Sequence, residues 1–177
     1  MSSIFDLVQQ QLQGDGLRRI SEQLGTSQGE TQSAIAAALP MVMGGMAQHA
    51  SQPGGADLIH QAVDAHAGGD AGLLHGGAGG GGLIGRMLGN RHEQVQQGVS
   101  KASTLSPEKT GKLLLLLAPI VLAALAHKRK QDGTTPQQLP EVLQQGQAQA
   151  QQHAEAEHPH LGGGLLGGLL GQIMGKL

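Results

Sequence analysis

Nine histidines carry most of the chemistry open to this chain. His60 and Asp64 stand four residues apart, as do His153 and Glu157, so each pair would share one face of a helix. His158-Pro159-His160 could chelate through its two imidazoles. Zinc takes three or four ligands in tetrahedral array, and no tight cluster of that size is present in the sequence. The histidines therefore read as solvated or capping groups, with weak capture of nickel or copper as the alternative. No cofactor is expected.

Other catalytic patterns are weaker still. Cysteine is absent, which removes disulfides, thiol nucleophiles and thiolate metal sites. Ser27 reads as a helix cap, and the Gly-x-Ser-x-Gly pattern of a nucleophile elbow is read as absent. The glycine run 76–82 lacks the Gly-Lys-Ser/Thr ending of a phosphate loop. No pair of carboxylates sits in an apolar setting. The expectation is a protein without catalytic activity.

Two further patterns concern binding. Lys128-Arg129-Lys130 follows an apolar run directly, and reads either as cations opposing a helix dipole or as a contact for an anionic surface. Gly163, Gly167, Gly171 and Gly175 recur every four residues, with Leu165, Leu166, Leu169 and Leu170 between them. On a helix this spacing makes a bare stripe that another backbone can approach closely. Glycine costs about 1 kcal/mol per helical position relative to alanine, so such a helix needs a packing partner. The tail reads as a self-association element, as an anchor at a membrane surface, or as a flexible tail without either role.

The elements that position these residues are helical. The sequence has one Phe, no Tyr and no Trp, so its core must come from Leu, Ile, Val, Met and Ala. These suit close-packed helices, whereas sheets favour aromatic and β-branched residues. Without aromatic platforms, and with no helix bearing a row of basic and amide side chains, nucleic-acid binding is not expected.

Residues 1–82 carry seven acids against two arginines, and residues 83–133 carry eight cations against three acids. Halves of opposite sign can dock on each other or on a neighbouring molecule.

An internal duplication organises the chain. Ser27 and Ser106, Thr31 and Thr110, Pro40 and Pro119, and Gly54 and Gly133 are all 79 residues apart. A shared offset across caps and mid-helix prolines points to a repeat. The reading is an all-α protein: a first helical repeat over 1–67, a Gly-rich linker over 68–82, a second repeat over 83–150, and a polar segment with a Gly/Leu tail over 151–177. Gly164 to Gln172 echoes Gly82 to Asn90 and reads as a truncated third start.

Each repeat reads as four helices. Ser27 with Glu30 makes a capping box for the main helix of the first, and Ser106 with Pro107 opens that of the second. Pro40 and Pro119 should kink or break these helices near their middles. Leu113 to Ala126 is apolar all round, so the second main helix is expected at the hub of the fold. This run of 14 residues falls short of the roughly 20 that span a bilayer. Residues 144–160 hold few apolar anchors and read as a solvated helix or an unfolded stretch. The start, Met1-Ser-Ser-Ile4-Phe5-Asp6, lacks the basic and apolar regions of a signal peptide, so a cytoplasmic protein is expected.

Ile4-Phe5-Asp6-Leu7, Ile20 and Leu24-Gly25, Ala-Ala-Leu39-Pro40, Leu-Ala-Pro119-Ile120 and the Gly/Leu tail together resemble the YidB-like bacterial proteins, a family of domains of unknown function (number 937). That resemblance implies a small all-helical bacterial protein. It carries no agreed activity, catalytic residue or cofactor, so no functional residue transfers. The function read from the residues is a self-associating structural or interaction protein, with a membrane-peripheral protein and a weak metal binder as alternatives.

Overall fold

A computed structural model describes residues 2–67, 84–85 and 87–157. These form seven α-helices, and no strand occurs among the described residues. The helices are α1 (Ile4–Leu12), α2 (Asp15–Leu24), α3 (Gln28–Ala50), α4 (Gly55–Ala67), α5 (His92–Ala102), α6 (Pro107–Asp132) and α7 (Leu139–Glu157). Short 3-10 turns at Gly89–Arg91 and Pro136–Gln138 lead into α5 and α7. The expected linker over 68–82 and the Gly/Leu tail lie outside the described residues.

Local chemistry sets the helix starts. Ser3 and Asp6 form a capping box on α1, and Ser27 and Glu30 form one on α3. In each, the serine hydroxyl accepts from the N3 amide while the N3 carboxylate accepts from the cap amide. Ser106 caps α6 by accepting from the Lys109 amide. Thr135 and Gln138 form a further box ahead of α7. Gly25 and Gly133 end α2 and α6 in the left-handed conformation, which costs glycine little. Neither mid-helix proline breaks its helix: α3 runs through Pro40 and α6 through Pro119, with both rings buried. Burial on either side holds the helix where the missing N–H alone would weaken it.

The hub differs from the expectation. Every residue of α3 from Ala34 to Gln48 is buried, whereas α6 leaves Leu115 exposed and Leu116, Ile120, Ala123 and Ala126 half-buried. The central helix is therefore α3, with α7, α5, α2 and α4 packed on it. Its alanines and glycines let neighbours approach from all sides. The bulkier all-apolar α6 packs against α4, α1 and α5 and keeps an outward stripe. By length and composition α6 could cross a membrane, and a little over half (56%) of its most apolar window is buried within the protein.

The weakly anchored stretch beyond residue 144 also differs. It continues α7, which runs antiparallel along α3 as its most extensive partner. Gly146 faces Met43, Gln147 lies over Gly44, and Ala150 and Ala154 are buried. Few large apolar residues are needed here, because small residues on both helices bring the backbones close and make contact by proximity.

The halves of opposite charge meet within one chain. Arg129 of α6 pairs with Asp64 of α4. Lys109 donates to the Gly25 carbonyl at 3.3 Å, and its charge acts on nearby Glu30.

Candidate functional site

The His60–Asp64 pair joins no metal cluster among the described residues. Asp64 is taken by Arg129, whose hydrogen bond and charge, with His60 adding to them, hold the carboxyl below its usual range. Among the described residues no group of three or more His, Cys, Asp or Glu comes together to hold an ion. His153 is placed on α7 against Phe5, their ring centroids 5.2 Å apart and tilted by 59°. The Glu157 side chain, His158 and His160 lie outside the described residues.

Two residues of the Lys128-Arg129-Lys130 cluster serve internal contacts. Lys128 pairs with Asp132 and donates to the Ser2 carbonyl at 3.2 Å, and Arg129 binds Asp64. Lys130 remains exposed. Arg129 and Lys130 lie in the last turn of the helix.

Gly25-Thr26-Ser27-Gln28-Gly29 has the Gly-x-Ser-x-Gly spacing of a nucleophile elbow, so the expectation that this pattern is absent is corrected. Its setting is not that of a nucleophile. The turn joins two helices rather than a strand and a helix, and the Ser27 hydroxyl both donates to Glu30 and accepts from its amide.

A concave site emerges where no sequence pattern signals one. A cavity of about 220 Å³ opens between the end of α1, the start of α2, the first half of α3 and α7. It is lined by Gln9, Leu12, Gln13, Gly14, Leu17, Gln32, Ile35, Ala36 and His153. The space arises because Gly14, at φ +64°, turns the chain sharply between α1 and α2. The floor is apolar, with Leu12, Ile35 and Ala36 buried, and the exposed amides of Gln13 and Gln32 stand at the mouth. Among the described residues, no carboxylate, lysine or arginine lines it. Helix periodicity could not reveal it, because its wall joins three consecutive helices to α7 at the far end of the described chain.

The other surface feature is the stripe on α6. Leu115 is 39% exposed, and Leu58 on α4 is 41% exposed. Exposed Lys112 and Lys130 flank the α6 stripe at its two ends, and exposed Asp57 adjoins Leu58. Gly163, Gly167, Gly171, Gly175, Leu165, Leu166, Leu169 and Leu170, the residues expected to self-associate, lie outside the described residues.

A family model described as "Bacterial protein of unknown function (DUF937)" matches residues 6–129, from α1 into the last turn of α6. No curated protein and no solved structure matches the chain.

Proposed function

This chain belongs to the bacterial family of unknown function whose model it matches, and from its surface we propose that it is a self-associating structural protein without catalytic activity. The observation that carries the reading is the pair of exposed large hydrophobics, Leu115 beside Lys112 and Leu58 near Asp57. Leucine flanked by a cation on one surface complements leucine flanked by an acid on the other. The occupant of the α6 stripe is thus the α4 face of a second copy. Such a contact is heterologous, and gives rings or filaments rather than a closed pair. The Gly/Leu tail, with Gly163 to Gly175 spaced by four, is proposed to add to it.

The architecture behind it is proposed to be a duplicated helical unit joined by the Gly-rich stretch 68–82. Equivalent positions support this. Thr31 and Thr110 each donate to their cap serine's carbonyl at 2.9 Å, and Gly54 and Gly133 both take positive φ, at 77° and 65°.

Light scattering on a sizing column tests the assembly, with refractive-index detection because Trp and Tyr are absent. Species larger than monomer are expected for the full chain, reduced by Leu115→Glu and by Leu58→Glu alike. A monomer at every concentration and salt level sinks the proposal. A second reading, docking at an anionic membrane, draws on the lysines at both ends of the α6 stripe. In that case the full chain sediments with anionic vesicles, and Leu115→Glu releases it.

A further inference from the structure

The cavity between α1, α2, α3 and α7 has no part in the assembly reading, and its chemistry is specific enough to name a ligand class. We propose that it binds a small neutral molecule with an apolar body and at least one hydrogen-bonding group.

Size sets the first bound. Its volume is about 220 Å³. A dry cavity of roughly 150 Å³ holds benzene, so by proportion this one takes roughly nine non-hydrogen atoms. That is too small for a nucleotide or a peptide segment, and large enough for a bicyclic ring or a branched chain.

Lining chemistry sets the second. Leu12, Ile35 and Ala36 supply an apolar floor, and Leu17 a partly buried wall. Exposed Gln32 supplies an amide able to donate and accept, and the His153 ring adds a polar edge. An ionised ligand would give up water there with no carboxylate, lysine or arginine among the described lining residues to offset the loss, which is costly. A neutral ligand keeps its hydrogen bonds through the rim and gains from burial of its apolar part.

Geometry supplies the third. The His153 ring rests against Phe5, and α7 is pinned along α3, so Gln32 and His153 are carried by packed helices rather than by a loose loop. A wall of this kind is formed before the ligand arrives, which lowers the entropy cost of binding.

Indole is a suitable probe, being neutral, of matching size and a hydrogen-bond donor. Its fluorescence can be read directly, because the chain has neither Trp nor Tyr. Saturable binding to the full chain is expected, with emission shifted to the blue. The anion indole-3-acetate and the cation tryptamine should each bind at least tenfold more weakly. Ala36→Leu, which fills the floor, should weaken indole at least tenfold, and Gln32→Ala, at the exposed rim, about threefold. Because Ala36→Leu could also disturb folding, the site is read independently by NMR. The His153 ring protons should move with indole while those of His60 stay in place. Absence of saturable binding, equal affinity for the charged analogues, indifference to both substitutions, or a His153 signal that does not move would each overturn the assignment.

Discussion

The carbonyl oxygen of His49 occupies the place where a side chain on Gly55 would begin, 1.7 Å from the ideal β-carbon position. The turn from α3 to α4 closes so tightly that only a hydrogen fits there. Helix propensity alone would favour alanine at this first position of α4 by up to about 1 kcal/mol. The clash is with backbone and cannot be relieved by rotating a side chain. Gly55→Ala should therefore destabilise, by about 2 kcal/mol or more, as overpacking does. Gly29, in the first turn of α3, has open space around it, so Gly29→Ala should be neutral or mildly stabilising. Urea unfolding followed by helix circular dichroism distinguishes them, and a stabilised Gly55→Ala would show the turn to be more open than described.

Thr31 and Thr110 are fully buried and make the same bond to their cap serines, yet they are not equivalent. Thr31 also shares a hydrogen bond of 2.9 Å with the Thr26 hydroxyl. At both sites the serine carbonyl keeps the threonine backbone N–H as a donor. Thr110→Val should then cost about 0.5–1 kcal/mol, and Thr31→Val about 1 kcal/mol more because Thr26 loses its partner. Chemical denaturation of the two variants measures the difference, and equal losses would remove the Thr26 contribution.

Gln48, only 7% exposed, has both side-chain polar atoms buried without a hydrogen-bond partner among the described residues. An unsatisfied buried amide costs about 1–3 kcal/mol, whereas a methionine of similar length carries no such debt. Gln48→Met is expected to raise the melting temperature. A fall would mean that the amide does useful work in the folded chain.

Acid should weaken the fold through three carboxylates. The Ser3 amide and then its hydroxyl hold Asp6 below its usual 3.8, and the Ser27 amide and then its hydroxyl hold Glu30 below 4.5. The Arg129 hydrogen bond holds Asp64 below 3.8. A lowered folded pKa means that the unfolded chain takes up the proton first. These contributions are therefore complete above the ordinary values and are lost as pH falls through the lowered ones. The urea midpoint should hold steady from about pH 7 to 5.5 as far as these groups are concerned, then drop below about pH 4.5. Glu30→Gln should reduce the steepness of that drop while keeping the cap, since glutamine also serves at this position. An undiminished slope in the variant would remove Glu30 from the account.

What the sequence determined by itself was local and repetitive. Ser27 with Glu30, Ser106 before Pro107, and the apolar spacing of Ile4, Leu7, Val8 and Leu12 define helices through contacts within a few residues. Such contacts survive any rearrangement of the whole, so helix starts and the all-α class were legible. The positions 79 apart were legible for the same reason.

Only the tertiary structure decided which helix lies at the centre, because enclosure depends on how closely neighbours approach, and hydrophobicity does not report that. The alanines and glycines of α3 admit α7 at short range, while the richer apolar surface of α6 is left with a stripe facing outward. It also decided where the charges of the two halves go, since Asp64 and Arg129 meet only once α4 packs on α6. The cavity belongs wholly to this level. Gln9, Leu17, Ile35 and His153 carry no common pattern along the chain, and become a site only because four helices leave the same small volume unfilled.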